Sequence, residues 1–202
     1  MRSEAVVEIP WSLSKLPQHG QILDVGSCDA TYLSTIRQGN RALHCLDSRN
    51  CKDGIPAGAE FYHTNFLGNG LPKYAFDAIL MIAFLAHIGL PGTGKEVFPE
   101  GDALALAESW RLLKPDGVLI ATLPAGCAKT TPNYRQYSPQ QIKNLFAKWD
   151  TEVTYWGFDG LRYTPIQEDS VTNYDYLEPG RSELDTYGAG AMAGIVAYKH
   201  PD

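Results

Sequence analysis

The stretch that most constrains the fold is a nearly unbroken apolar run from Phe76 to Ala83, interrupted only by Asp77. A strand with one solvated face alternates apolar and polar residues, whereas this run is apolar at almost every position. Such a strand is buried on both faces, as happens when helices cover both sides of a mostly parallel sheet. The run therefore predicts an α/β fold with this strand in its interior.

Strand and helix patterns alternate on both sides of this run. Further strands are predicted at 21–25, 42–46, 60–63, 118–123, 152–158 and 193–199, and helices at 30–38, 101–113 and 138–148. Alternation of this kind is typical of a doubly wound, mostly parallel sheet, whose ligands bind at the carboxyl ends of the strands. At 202 residues the chain fits one domain, so we expect a single domain over 1–202.

The composition of the chain disfavours several classes of binding partner. The net charge of −6 and the pI of about 5.3 disfavour nucleic acid and anionic membranes. No apolar run approaches the roughly 20 residues that span a bilayer, and no signal-peptide pattern is present, so we expect no membrane partner and a cytoplasmic location. The four cysteines form no Cys-x-x-Cys pair, which predicts reduced thiols and no metal site.

Polar residues follow the ends of the first three predicted strands. Asp24 and Gly26 flank the end of the first, where a glycine lets a ligand approach the backbone closely. Asp47 ends the second strand, where an acidic side chain can accept both hydroxyls of a ribose, and Asn65 follows the third. The alternatives are a solvated carboxylate at Asp47 and a turn-capping amide at Asn65.

The stretch from Asp24 to Ala30 resembles the first motif of class I S-adenosylmethionine-dependent methyltransferases, although Cys28 and Ala30 stand where that family often has glycine. The stretch from Phe76 to Ile79 resembles the family's fourth strand. The stretch from Trp110 to Leu119 closely resembles its helix, turn and fifth strand. The resemblance implies a seven-stranded, Rossmann-like sheet with a terminal antiparallel strand, and S-adenosylmethionine as cofactor.

The resemblance also implies which residues hold the cofactor. Strand-end side chains and the backbone beside them supply the contacts. The predicted set is Asp24, Gly26, Ser27, Cys28, Asp47, Ser48, Asn65, Phe66 and Ala83.

Three later segments, 87–90, 100–102 and 122–126, resemble a methyltransferase subgroup often encoded with glycan and polysaccharide enzymes. This implies a small polar, saccharide-linked acceptor and a role in polysaccharide biosynthesis. His87 follows the fourth strand and is the candidate general base, because an imidazole exchanges its proton near neutral pH; a His that hydrogen-bonds the following loop is the alternative. Tyr134, Arg135 and Tyr137 are the candidate acceptor-binding residues, with an ordinary surface turn as the alternative.

The segment 159–192 lacks periodicity, and we expect it to act as an acceptor-site or lid insertion.

The sequence also bears on other classes of function. A dinucleotide-dependent oxidoreductase is disfavoured, because the first turn lacks the Gly-x-Gly-x-x-Gly spacing. The expected partner is a small-molecule acceptor, with a homodimer left open. The alternative to an enzyme is a catalytically inactive nucleoside- or partner-binding module on the same fold.

Overall fold

A computed structural model describes residues 4–38, 40–93, 97–176 and 188–199, which form alternating strands and helices. The strands are β1 (His19–Val25), β2 (Asn40–Asp47), β3 (Glu60–His63), β4 (Phe76–Met81), β5 (Leu113–Ala125), β6 (Lys129–Thr130), β7 (Arg135–Gln136), β8 (Asp150–Phe158), β9 (Tyr163–Ile166) and β10 (Ala191–Tyr198). The α-helices are α1 (Ala5–Lys15), α2 (Leu33–Ile36), α3 (Gly101–Leu112) and α4 (Pro139–Leu145). Short 3₁₀ turns lie at Ser27–Asp29, Lys52–Gly54, Pro91–Thr93 and Glu168–Asn173.

The main sheet has the strand order β3-β2-β1-β4-β5-β10-β8-β9. Strands β1 to β5 pair in parallel, and β10 runs antiparallel to both of its neighbours. The expected doubly wound α/β sheet with a late antiparallel strand is confirmed. The described residues contribute eight strands to this sheet instead of seven, because β9 adds to the edge of β8.

The strand β9 lies inside the segment 159–192, where the sequence predicts an irregular insertion. Residues 177–187 of that segment lie outside the described residues, so the lid expectation stays a prediction.

Helices cover both faces of the sheet, and successive residues of β1 show the division. Ile22 packs in a cluster with Leu33 and Ile36 of α2. Leu23 points to the opposite face, in a cluster that includes Leu112 of α3. This is the arrangement that the apolar central strand predicts.

Local sequence signals explain where the helices begin and end. Ser138 caps α4: its hydroxyl accepts from the Gln141 N–H at 3.3 Å, and the Gln141 side chain accepts from the Ser138 N–H at 3.1 Å. This reciprocal pair, with Pro139 next to the cap, is a capping box. The helix predicted at 30–38 is shorter in the structure: α2 covers only Leu33–Ile36, and a separate 3₁₀ turn precedes it at Ser27–Asp29.

The sequence patterns did not predict α1. Its buried positions carry Glu8 and Ser12 instead of apolar residues, and Pro10 lies within it. The helix packs near β10, where a Cβ on Gly194 would lie 2.6 Å from the Trp11 ring. Glycine therefore permits this close approach. Among the residues that the structure describes, no helix is long and apolar enough to cross a membrane.

Candidate functional site

A cavity of about 470 Å³ opens along the carboxyl ends of β1, β2, β3 and β4. Seven of the residues predicted for the site line it: Gly26, Asp47, Ser48, Asn65, Phe66, Ala83 and His87. The structure thus brings together residues from the ends of four strands. The other six predicted residues do not line the cavity: Asp24, Ser27, Cys28, Tyr134, Arg135 and Tyr137.

One part of the cavity is polar, and we call it the carboxylate half. It is formed by Gly26 after β1 and by Asp47, Ser48 and Arg49 at the end of β2. Because β1 and β2 are adjacent and parallel, their carboxyl ends meet at the same edge of the sheet.

The other part is mainly apolar, and we call it the helix half. Ala5 and Ile9 of α1 face the loop after β4, which contributes His87, Ile88 and, farther along, Phe98. Ala83, after the end of β4, also lines the cavity. A ligand that fills the cavity would therefore touch polar groups at one end and apolar groups with a single imidazole at the other.

Asp47 is the centre of the carboxylate half. Its Oδ1 accepts from the Arg49 backbone N–H at 2.9 Å and from Arg49 Nε at 3.2 Å. Its Oδ2 accepts from the Cys28 N–H at 3.0 Å and from Arg49 Nη2 at 3.1 Å. Burial alone would raise the pKa of Asp47, but these hydrogen bonds outweigh it and lower the pKa. At 4% exposure, Asp47 is not the solvated carboxylate of the alternative interpretation.

The turn after β1 is shaped by a left-handed glycine and a buried carboxylate. Gly26 has φ of 87°, a conformation that favours glycine. Asp24 is fully buried and accepts from the Ser27 hydroxyl at 2.7 Å and from the Tyr32 hydroxyl at 3.0 Å. Burial raises the pKa of Asp24 to about 6. Asp24 and Ser27 therefore hold the turn from behind the cavity wall, and their direct contact with a cofactor stays a prediction.

A disulfide joins the two loops of the carboxylate half. Cys28, in the turn after β1, bonds to Cys51, 23 residues further along the chain. The prediction that all four cysteines are reduced thiols is therefore wrong for this pair, because the parallel pairing of β1 and β2 brings their following loops together. Cys45 and Cys127 are free.

Two further groups bear on the fit of an adenosyl ligand. The Ser48 hydroxyl oxygen is buried, with no hydrogen-bond partner among the described residues, and the residue Ser48 lines the cavity beside Asp47. A buried hydroxyl of this kind calls for a partner outside the protein atoms, such as a ligand atom or a water molecule. Asn65 Oδ1 accepts from the Leu67 N–H at 3.2 Å, so Asn65 caps a turn and also lines the cavity. The carboxylate half therefore fits a nucleoside with ribose hydroxyls.

His87 lies in the helix half with one ring nitrogen already engaged. Its Nδ1 lies 2.6 Å from the Asn133 carbonyl oxygen. A carbonyl can only accept, so Nδ1 carries the hydrogen and the lone pair of a neutral ring resides on Nε2. The hydrogen bond to a loop, which was the alternative to a role as general base, is thus present. The same bond leaves the lone pair of Nε2 free to accept a proton.

Arg135 and Tyr137 are buried and support the loop that carries His87. Arg135 donates to the carbonyls of Ile88 at 2.8 Å and Pro99 at 3.0 Å. The Tyr137 hydroxyl donates to Asp102 at 2.8 Å. These bonds give both side chains a structural role.

The neighbouring Tyr134 is also buried, and its ring stacks on Tyr176 with a centroid distance of 4.0 Å. None of the three is the exposed surface turn of the alternative interpretation, since all are at most 7% exposed. Acceptor binding by Tyr134, Arg135 and Tyr137 stays a prediction.

Sequence reasoning missed three residues of the cavity wall that matter for its chemistry. Ala5 and Ile9 were missed because α1 carries polar residues on its buried face. The sequence therefore lacks the regular spacing of apolar residues by which an amphipathic helix is recognised. Arg49 was missed although it stands two residues after Asp47; an arginine beside a strand-end carboxylate was the available signal.

Comparisons with known proteins identify the fold. No protein-family model matches the sequence, and no curated protein matches it significantly. The structure is similar to an S-adenosylmethionine-dependent methyltransferase of Methanosarcina mazei, with 14% identity and a TM-score of 0.63 over 96% of this chain and 98% of that one.

Two other similar structures contain bound S-adenosylhomocysteine. One is the 1,6-didemethyltoxoflavin-N1-methyltransferase of Burkholderia thailandensis, with 12% identity and a TM-score of 0.65 over 96% of this chain and 79% of that one. The other is the N-methyltransferase NodS of Bradyrhizobium japonicum, with 12% identity and a TM-score of 0.60 over 98% and 85%. At these identities the likeness shows that the chain has the fold of these proteins.

Proposed function

We propose that the chain binds S-adenosylmethionine and transfers its methyl group to a small-molecule acceptor. The observation that carries the proposal is the carboxylate half, where Asp47, the Gly26 turn and Ser48, whose hydroxyl has no partner among the described residues, line one cavity. The similar structures with bound S-adenosylhomocysteine support the choice of cofactor. When bound, the cofactor supplies a methyl group that its sulfonium already activates.

The residues of this chain would hold the cofactor and orient the acceptor. Asp47 would accept from the ribose hydroxyls, Ser48 and Asn65 would contact the nucleoside, and Gly26 would let the ligand approach the backbone. Because this places the nucleoside in the carboxylate half, the acceptor belongs in the helix half. There Nε2 of His87 would take the acceptor's proton.

The helix half bears on the acceptor. Ile9, Ile88 and Phe98 present apolar surface, with the imidazole of His87 as the polar group. This favours an acceptor with an apolar face and one nucleophilic oxygen or nitrogen. A saccharide-linked acceptor, with a role in polysaccharide biosynthesis, is the finer proposal; it rests on the sequence resemblance, and sugars do carry apolar faces.

Calorimetry with S-adenosylhomocysteine and with NAD tests the proposal. Saturable binding of S-adenosylhomocysteine that NAD does not displace is expected, followed by methyl transfer to at least one member of an acceptor panel. Absence of S-adenosylhomocysteine binding contradicts the proposal. Binding without transfer across the panel favours the inactive nucleoside-binding module instead.

A further inference from the structure

The hairpin of β6 and β7 contacts the ring of His87. Its turn, residues 131–134, presents the Asn133 carbonyl oxygen, which lies 2.6 Å from Nδ1 of His87. A bond from Nδ1–H selects the tautomer that leaves a lone pair on Nε2. The bond is exposed, so water competes for both partners. It therefore depends on other groups that hold the carbonyl and the ring in place.

The turn that carries Asn133 is shaped by the Thr131 hydroxyl. Its oxygen accepts from the N–H of Asn133 at 3.2 Å and from the N–H of Tyr134 at 3.0 Å, as in other turns closed by a threonine side chain. The Tyr134 N–H and the Asn133 carbonyl belong to one planar trans peptide group, so they point in opposite directions. By binding the N–H, the Thr131 hydroxyl directs the carbonyl toward His87.

The loop that carries His87 is held by Arg135. The Arg135 backbone N–H donates to the Ala86 carbonyl at 2.9 Å. Its guanidinium donates to the carbonyls of Ile88 at 2.8 Å and Pro99 at 3.0 Å. These bonds fix the residues on both sides of His87. Arg135 itself is 5% exposed and does not line the cavity, so it acts on the loop through the backbone.

A guanidinium is costly to bury, and its partners explain why it is there. Its planar fork can bond several carbonyls at once, which neither lysine nor an apolar residue can do. Its Nε lies 3.7 Å from Asp102 Oδ2, a carboxylate that also accepts from the Tyr137 hydroxyl. An apolar side chain of similar volume would fill the space without the desolvation cost. The carbonyls of the His87 loop therefore account for Arg135.

We infer that Thr131 and Arg135 are positioning residues for His87: the Thr131 hydroxyl directs the Asn133 carbonyl at Nδ1, and Arg135 holds the loop that carries the ring. This inference rests on the proposed function, which it deepens. It gives the hairpin a defined role, which is to keep a lone pair on Nε2 of the proposed base.

The tautomer of His87 in the ligand-free protein is the direct readout. NMR of the ring nitrogens at about pH 9, where a histidine ring is neutral, reports which nitrogen carries the hydrogen, and His87→Asn assigns the signals. The wild type should be mainly Nδ1–H. Thr131→Val and Arg135→Met are expected to shift the ratio of the tautomers about three- to tenfold toward Nε2–H. Thr131→Ser keeps the hydroxyl and should restore the ratio.

Matched controls remove similar groups from the same hairpin. Thr130→Val deletes an exposed hydroxyl, and Lys129→Met deletes an exposed positive charge; both should keep the wild-type ratio. A wild-type ratio in Thr131→Val overturns the role of Thr131, and a wild-type ratio in Arg135→Met overturns that of Arg135. A ring that is mainly Nε2–H in the wild type overturns both.

Kinetics separate positioning from acceptor binding. If Arg135 positions His87, kcat in Arg135→Met should fall about three- to tenfold, while KM for the acceptor stays within about twofold of the wild type. A higher KM for the acceptor with an unchanged tautomer ratio would make Arg135 an acceptor-binding residue and overturn its positioning role.

Failure of the proposed function gives a different result. If the wild type transfers no methyl group to any acceptor in the panel, a shifted tautomer ratio in Thr131→Val still supports the positioning role, and an unshifted ratio overturns it. Should Arg135→Met fail to fold, Arg135→Lys is measured instead. It keeps the charge beside Asp102 but not the planar fork, so the ratio should still shift.

Discussion

The two halves of the cavity are built in different ways. In the carboxylate half, hydrogen bonds, an ion pair and a disulfide tie together two loops that follow adjacent strands, and Asp47 alone accepts four hydrogen bonds. In the helix half, Ala5 and Ile9 of a separate helix complete a largely apolar wall around His87. The difference implies that the proposed cofactor site is held by local bonds, whereas the proposed acceptor site has walls that come from distant parts of the chain.

The largest expected effect concerns His87 in the helix half. His87→Asn removes the proton acceptor, so we expect the rate of methyl transfer to fall by about 10² to 10⁴-fold. The dissociation constant for S-adenosylhomocysteine should not change, because the proposed nucleoside contacts lie in the carboxylate half. Transfer from radiolabelled cofactor to an acceptor found in the panel measures the rate, with His19→Asn, at the amino end of β1, as the control. A normal rate of methyl transfer in His87→Asn would show that His87 is not the general base.

The disulfide tests how far the carboxylate half is preorganised. Cys51→Ser removes a disulfide between two cysteines that are 23 residues apart in sequence. Because the crosslink restricts the unfolded chain, we expect the free energy of unfolding to fall by about 2 to 4 kcal/mol. Urea unfolding of the non-reduced protein measures this, with Cys127→Ser as the control. Treatment with a dithiol should lower wild-type stability to the same level.

A count of four free thiols in the native protein, purified without reductant, would show that the crosslink is absent. The result also bears on location. Disulfides are rare in the cytosol, so the same thiol count tests the cytoplasmic location expected from the sequence, which stays a prediction.

Loss of the central carboxylate should weaken cofactor binding without affecting the helix half. Asp47→Ala is expected to cost about 1.5 to 3 kcal/mol of S-adenosylhomocysteine binding, since a charge-assisted bond to the ribose is lost. Calorimetry compares it with Asp53→Ala, which removes an exposed carboxylate from the following turn. Equal affinities for Asp47→Ala and the wild type would take Asp47 out of the site.

The smallest expected effect is a gain in affinity for S-adenosylhomocysteine, whereas Asp47→Ala is expected to lose affinity. The four bonds on Asp47 occupy both oxygens, so ribose hydroxyls must compete with the Arg49 guanidinium. Arg49 has a second partner, Asp29 at 2.9 Å, to which it can stay bound. Arg49→Ala should therefore tighten S-adenosylhomocysteine binding by up to about 1 kcal/mol. Lys52→Ala controls for the loss of one positive charge, and weaker binding by Arg49→Ala would show that the guanidinium contacts the ligand.

The carboxylate half could largely be predicted from the sequence because its parts are local. A strand that ends in Asp47 and another that leads into Gly26 can be recognised from a few residues each. The parallel pairing of their strands then brings the two ends together. The disulfide was missed because Cys28 and Cys51 show no spacing signal, and their proximity depends on the register of β1 against β2.

The helix half was less predictable because its contacts are distant in sequence. Arg135 suits an exposed turn when only its neighbours are considered, yet its guanidinium bonds carbonyls such as those of Ile88 and Pro99, 47 and 36 residues away. Likewise, the buried positions of α1 carry the polar residues Glu8 and Ser12, so the sequence does not show that this face is buried. Polar groups buried by long-range partners break the patterns on which secondary-structure prediction depends.

The contact of Trp11 with Gly194 has a consequence for synthesis on the ribosome. The helix α1 precedes the strands that it packs against, β5 and the later β10, so its docking surface is complete only when β10 has been made. The loops around Asp47 can assemble on a nascent chain before β10 is made, whereas the wall formed by α1 is completed only afterwards. The carboxylate half would then form before the helix half.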